Sequence, residues 1–458
     1  MPESRAEIPG LGHPNEKVEK GLLKTLFYRI AGGTSSFSPY VTRYLERQGR
    51  IFSRAAHRHW HEELENELKR LGLLPKLKRC DHHLAHAANS YLASGFDRAL
   101  IVTLDGYGSG LAASVSIGEG GKIKRLHNVR YPNSLGIFYE TVTSSLGFKP
   151  SRHEGKIVGL AAYGDPRILS DILLERFDLD SDGYRMFECQ NIYFSRHIAT
   201  RLPKIDVAAA YQNVLEIVAC DLVRKWLRKT GCNALVLSGG VAANVKMNQR
   251  VYDTEGVERA FIYPNMGDGG CASGLALYKT WPGGSPEPIE DVYFGPSFTQ
   301  AEIRAELDKE GLAYQFPGNL AAEVARRVHE GQVVARFSGR MEYGPRAPRQ
   351  PFDLVPREGS KRKSMAESAF GTDGVHALRA GHVVGSARPL LPERQGRGAR
   401  RAVYDHHLRL HGVDEGAIPG RDSRRRYCPP SVDPRGQQSR VLRDRERVRE
   451  AVRYSDHH

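Results

Sequence analysis

Up to about residue 280 the chain alternates short apolar runs, each closed by Gly, Asp or Asn, with longer stretches whose apolar positions recur at helical spacing. The runs predict strands over Ala99–Leu104, Ala234–Leu237 and Ala260–Tyr263. The helical spacing predicts helices over Trp60–Leu71, Ala208–Thr230 and Ala272–Lys279. Strands and helices in alternation predict an α/β fold. Trp281-Pro282-Gly283-Gly284-Ser285-Pro286-Glu287-Pro288 opens a linker by composition, extended here to residue 298. Beyond it, Gln300–Gly311 and Leu320–Gly331 read as helices and Val333–Phe337 as a strand, so residues 299–347 enter a second domain.

The segment Cys80-Asp81-His82-His83-Leu84-Ala85-His86 bears on chemistry. If it is helical, His82 and His86 stand four residues apart on one face and both imidazoles can point at one ion. Asp105, at the end of the first predicted strand, adds a carboxylate. Two imidazoles and a carboxylate suit iron, zinc or manganese and leave positions open for a phosphate or substrate oxygen. The local pattern alone fits ordinary histidines equally well, and His59 and His61 read as a solvated face.

Three glycine-rich turns are candidates for gripping an anion. Leu237 to Asn244, with Gly239 and Gly240, follows a strand and opens a helix, so its backbone N–H groups and helix dipole can hold a phosphate. Asn265-Met266-Gly267-Asp268-Gly269-Gly270 repeats that pattern. Glu154-Gly155-Lys156, followed by Gly159 to Gly164, puts a cation beside a tight turn. Each is weak by itself; with the acids Asp105 and Asp268 they read as one nucleotide cleft.

Length, charge and cysteines narrow the class. A chain of 458 residues can hold two or three domains with real cores. It has no run of eighteen apolar residues, and its N-terminus has no basic stretch followed by an apolar core, so the cytoplasm is the expected location, without a membrane. Six scattered cysteines with no Cys-x-x-Cys pair argue against a disulfide framework and a structural zinc knuckle, and read as reduced, mostly buried thiols. The net charge of +14 raises nucleic acid as a partner, but it is unevenly placed: residues 348–458 carry 23 basic and 14 acidic side chains, a net of +9.

Taken together, the motifs resemble a known family, the O-carbamoyltransferases of the nodulation and antibiotic-biosynthesis type. The resemblance rests on Asp81 to Ala87, Leu104-Asp105-Gly106, Asn133-Ser134-Leu135-Gly136 with Tyr139, Glu154-Gly155-Lys156, Ser238 to Ala242, Gly267 to Gly270 and Gly339 to Ala347, in family order across roughly residues 12–347. It implies an actin-like ATPase (RNase H-like) domain pair over residues 1–280, followed by the start of a YrdC-like α/β domain. The YrdC-like domain of such enzymes makes carbamoyl-adenylate from carbamoyl phosphate and ATP, and the actin-like part passes the carbamoyl group to a hydroxyl of a small-molecule acceptor. Carried over by motif, His82, His86, Asp105 and Asp268 resemble the ligands of an iron-type divalent metal, with zinc and manganese open on chemistry alone. His82, His86 and Asp105 would stand at the reacting centre. Gly239, Gly240, Asn244, Gly267, Asp268 and Lys156 would meet the nucleotide, with a turn-stabilising role for Lys156 left open. Acceptor and oligomeric state are not implied.

The chain departs from the family pattern at both ends. The resemblance implies an opening hairpin with a phosphate turn, which Met1 to Gly33 does not carry, so the chain is expected to begin late. After Ala347 relatives continue Leu-Gly-Asn-Arg-Ser-Ile, where this chain has Pro348-Arg349-Gln350-Pro351-Phe352-Asp353. Synonymous codons for Pro348 onward can be chosen so that reading one base later restores the family-like string. One inserted nucleotide near codon 347, an out-of-frame basic tail that fails to fold, and an impaired product are the expectation. A divergent basic extension is the alternative. An inactive nucleotide-binding remnant and a nucleic-acid-binding protein using the tail are the competing functions.

Overall fold

Ser109-Gly110 and Gly120-Gly121 all adopt positive φ, 50° and 81° in the first pair and 53° and 75° in the second. Two-residue turns of that kind match the right-handed twist of the strands they join. They fold β1 (Arg98–Gly108), β2 (Leu111–Glu119) and β3 (Lys122–Arg130) into an antiparallel meander, with Val102 opposite Val115 and Ile117 opposite Lys124. The apolar-run reading finds only β1 of the three, because β2 and β3 mix polar and small residues; the Gly120-Gly121 pair is the signal that marks the hairpin.

The computed structural model describes residues 17–18, 20–32, 58–179, 182–186, 192–330, 332, 334–336, 339–344 and 352–354. Before the meander come α1 (Leu22–Gly32), α2 (residues 58–70) and α3 (His82–Leu92). After it come α4 (Leu135–Ser145), α5 (Glu154–Ala161), α6 (Ser170–Leu174), the short pair β4 (Phe177–Asp178) and β5 (Arg185–Met186), α7 (Ile192–Ala199) and α8 (Lys204–Thr230). The series continues with β6 (Ala234–Ser238), α9 (Val245–Tyr252), β7 (Arg259–Ile262) and α10 (Cys271–Thr280). The three predicted strands are β1, β6 and β7, each within a few residues of its expected ends.

The sheet runs in the order β3-β2-β1-β6-β7, with β6 and β7 parallel to β1 and β2 alone antiparallel to the rest. That mixed sheet, with helices packed on both faces, is the α/β architecture expected, and its order with only the second strand reversed is that of an RNase H-like sheet. Side chains alternate across β1. Leu100, Val102 and Leu104 join the larger core with α4 and α8, while Ala99 and Ile101 join the smaller core with Ala87, Ala88 and Tyr91 of α3. Asp105 has the parity of Ala99 and Ile101, so it leaves the sheet on the α3 side. Each fully buried Leu, Val or Tyr adds roughly 1.5–3 kcal/mol, and α8 with its buried Tyr211, Leu215 and Leu222 is the main contributor. Close packing on the α3 side needs Gly274, where a Cβ would stand 2.1 Å from the Ala85 carbonyl oxygen.

Residues 281–298, expected as a linker, are pinned. Ile289 N–H donates to the Ala93 carbonyl at 3.1 Å, Ser285 Oγ to Asp97 Oδ1 at 2.6 Å, and Val292 is buried. Tyr343 N–H reaches the Val292 carbonyl at 2.7 Å, and Gly295 N–H the Met341 carbonyl at 2.9 Å, so the Gly339–Gly344 motif lies along this segment. Beyond it, α11 (Gln300–Lys309) starts in a capping box between Thr299 and Glu302, and is succeeded by α12 (Leu320–His329) and β8 (Val334–Arg336). Helix α11 has no buried residue, and Leu312, Phe316 and Leu320 are exposed. β9 (Phe352–Leu354), inside the expected out-of-frame tail, pairs antiparallel with β8. The rest of that tail, and the opening Met1–Glu16, lie outside the described residues. No helix among the described residues is long and apolar enough to cross a membrane.

Candidate metal and nucleotide site

Asp81 starts α3: its carboxylate accepts the Leu84 N–H at 2.8 Å and pairs with Arg125. The cap sets the helix phase so that His82 and His86 both face the end of β1. Gly108 makes the approach feasible, since a Cβ there would stand 2.0 Å from His82 Cδ2. Ser109 Oγ accepts the His82 N–H at 3.1 Å and ties the helix start to the hairpin turn. His83, between the two, turns into the core against Thr103 Oγ1 at 2.7 Å; burial pushes its pKa down to about 4, which keeps it neutral.

His82 Nε2 stands 2.7 Å from Asp105 Oδ2 and 3.0 Å from His86 Nε2. His86 Nε2 lies 3.6 Å from Asp105 Oδ2, 3.5 Å from Asp268 Oδ1 and 3.5 Å from Cys271 Sγ. Asp268 comes from the turn after β7 and Cys271 is the first residue of α10. His86 has no solvent exposure, whereas the Asp268 side chain is 77% exposed, so the cluster has a closed floor and an open mouth. Burial penalises the His86 imidazolium, yet Asp105, Asp268 and Cys271 outweigh it and raise its pKa to about 11. Burial also penalises the Asp105 carboxylate, which would raise its pKa, but His82 and His86 hold its carboxyl well below the usual range. Negative donors have thus been gathered round one point, and a cation there is stabilised.

The donor set fits a divalent metal. Ligands held about 2.0–2.3 Å from an ion at tetrahedral or octahedral angles stand roughly 2.8–3.8 Å apart, and four of the five separations above, those of 3.0–3.6 Å, fall in that range. The tautomer fits as well. Ser238 Oγ donates to Asn89 Oδ1 at 3.1 Å, which leaves its oxygen to accept from His86 Nδ1 at 3.5 Å. His86 Nε2 is then the atom turned toward the other donors.

The glycine turn after β6 is built round the same carboxylate. Gly239 has φ 94°, and Gly240 N–H donates to Asp105 Oδ1 at 3.1 Å. That N–H, read from sequence as a phosphate contact, is therefore engaged with Asp105. Asn244 caps α9 by accepting the Met247 N–H at 3.0 Å and exchanges hydrogen bonds with Gln212, which also accepts from Tyr139 Oη at 2.5 Å. Gly267 and Asp268 form the second turn, beside the histidines. The third differs from expectation: Glu154-Gly155-Lys156 is the first turn of α5, held helical by the buried Ile157 and Leu160 despite its two glycines, and Lys156 is buried on that helix with its ammonium 5.8 Å from the Phe148 ring centre. Sequence reasoning missed Cys271, Ser238 and Asn89. Asn89 lies three residues after His86, on the same helical face, and Cys271 comes directly after the Asp268 turn; both were legible signals.

A family profile described as carbamoyltransferase N-terminus matches residues 13–277. The chain belongs to the carbamoyltransferase family. An uncharacterised protein, sll1178 of Synechocystis, is 32% identical over 308 residues, covering 60% of this chain and 50% of that one. Nodulation protein NolO of Bradyrhizobium diazoefficiens is 33% identical over 284 residues, covering 58% and 51%. This carbamoyltransferase chain thus spans about half the length of the curated relatives it matches. The solved structure of full-length HypF, in its phosphate- and nucleotide-bound form, shares 17% identity with a TM-score of 0.29 over 44% of this chain and 35% of that one, a likeness too slight to bear on the fold.

Proposed function

We propose that this carbamoyltransferase moves a carbamoyl group from carbamoyl phosphate, by way of carbamoyl-adenylate, to a hydroxyl of a small-molecule acceptor such as a sugar or natural product. The observation that carries the reading is the convergence of His82, His86, Asp105 and Asp268 on one point beside two glycine turns. These four residues would hold a divalent ion, iron first by family resemblance, with zinc and manganese accepted by the same donors. Bound there, such an ion supplies Lewis-acid polarisation of a carbonyl or phosphate oxygen. Asp105 fixes the His82 imidazole and is itself fixed by Gly240. The turns at Gly239–Gly240 and Gly267–Asp268 border the nucleotide, and exposed Asp268 marks the side from which it enters.

In this reading residues 1–280 are the transfer unit, 281–298 join it to a second unit, and 299–347 begin that second, adenylate-forming unit. In this reading α11, none of whose residues is buried, belongs to that second unit. The two half-reactions should therefore separate. With a panel of sugar and polyketide hydroxyl acceptors, transfer is expected from supplied carbamoyl-adenylate and is expected to stay at background with carbamoyl phosphate plus ATP. Equal rates from both donors would refute the impairment; no transfer from either would leave a nucleotide-binding remnant.

Ser238→Ala tests the orientation of His86. Ser90 Oγ also donates to Asn89 Oδ1, at 2.7 Å, so the variant leaves that oxygen satisfied. Loss of an outer partner to a ligating histidine should weaken divalent-metal binding about 10–100-fold, read by isothermal titration calorimetry. Unchanged affinity would remove Ser238 from the site.

A further inference from the structure

Cys271 is the one donor in the cluster that neither the motif resemblance nor the proposed ligand set includes. It begins the ten-residue α10, where the aligned peptide dipoles favour an anionic group, and its Sγ faces the fully buried Nε2 of His86 at 3.5 Å. Ligand atoms of His82, His86, Asp268 and Cys271 all lie within 4.8 Å of one another. Among the described residues, Cys232 belongs to the hydrophobic core and Cys220 packs against it, while Cys80 precedes the Asp81 cap of α3. Gly270, directly before Cys271, is held against the Asn265 carbonyl, where a Cβ would come within 2.0 Å, so the position of α10 over the histidines is set by backbone packing. The sulfur is carried into the cluster by the same turn that carries Asp268.

We propose that Cys271 is a further ligand of the metal held by His82 and His86, and that its sulfur sets the class of ion this chain takes. The inference rests on the metal reading above. A thiolate beside two imidazoles and a carboxylate makes a borderline-soft site that takes Zn2+, Fe2+ or Co2+ in preference to Mn2+ or Mg2+, which suit all-oxygen sites.

The test is optical and needs no turnover. Metal-free full-length protein is titrated with Co2+, whose d–d bands report binding and whose near-ultraviolet sulfur-to-cobalt charge-transfer band reports a thiolate ligand. The expected result is both sets of bands in the unaltered protein, and d–d bands alone in Cys271→Ser. Zn2+ affinity of that variant should fall by at least the ~10–100-fold that loss of a supporting outer group costs, with Mn2+ affinity little changed. d–d bands without charge transfer in the unaltered protein, or a charge-transfer band that persists in Cys271→Ser, would overturn the assignment while leaving the metal site standing. Absence of any Co2+ binding, with His82→Ala no different from the unaltered protein, would instead overturn the metal reading and this inference with it.

Discussion

Asp105→Asn is expected to remove the bound metal and lower transfer from supplied carbamoyl-adenylate about 10²–10³-fold, the size of effect seen when one group aimed at developing charge is lost. The substitution is chosen because it changes charge and little else. An asparagine oxygen can still accept the Gly240 N–H that Asp105 Oδ1 takes at 3.1 Å, so the turn after β6 keeps its anchor. Lost is the anion that stands 2.7 Å from His82 Nε2 and 3.6 Å from His86 Nε2. Two imidazole nitrogens 3.0 Å apart then face each other with one carboxylate fewer to attract a cation. Metal content after gel filtration and calorimetric titration read the first effect, and acceptor-dependent release of the adenylate reads the second. A variant that keeps both metal and rate would remove Asp105 from the ligand set and reduce its role to holding Gly240.

How far this site is legible in the sequence depends on range. His82, His86 and Asp105 can be read because helical phase and strand parity are local: four residues on a helix restore one face, and alternation from Ala99 puts Asp105 on the side where α3 packs. Asp268 is reached through its glycine turn. Gly240 does belong to an anion-gripping turn, but the anion it grips is the protein's own Asp105, a contact 135 residues away in sequence that no window reveals. Lys156 goes the other way. A Glu-Gly-Lys triplet reads as a turn by its glycine, yet Ile157 and Leu160 after it are buried and hold the segment as a helix, and tertiary packing outweighs the modest cost of two helical glycines, Gly155 and Gly159. The β2–β3 hairpin is hard to see in the sequence because its buried positions include Ala112, Ser114 and Ser116, small residues that do not stand out as an apolar run.

Gly239→Ala should be strongly destabilising, because conformation and space both oppose it. Gly239 sits at φ 94° and ψ 161°, a region open in practice to glycine alone, and holding another residue there costs about 1–3 kcal/mol. Space is also lacking: a Cβ would stand 2.1 Å from the Leu104 carbonyl oxygen and 3.0 Å from its nitrogen. Both atoms are backbone in the central strand, where Leu104 is paired with Ala113, so neither can move aside as a side chain tip would. Overpacking of that kind costs about another 1–3 kcal/mol, and the sum is a large part of the ~5–15 kcal/mol by which folded domains are stable. At about 2–4 °C per kcal/mol for a domain of this size, the melting temperature should fall by roughly 5–20 °C in a calorimetric scan. Gly240→Ala is the control, because a Cβ there meets only Asp105 Oδ1, at 3.0 Å, and φ is not positive. It should melt within a few degrees of the unaltered protein yet bind metal more weakly, since the methyl pushes on the carboxylate itself. If both variants melt alike, the backbone path through Gly239 is not the constraint described; if they differ as expected, one glycine holds the chain's course past β1 and its neighbour holds Asp105 toward the histidines.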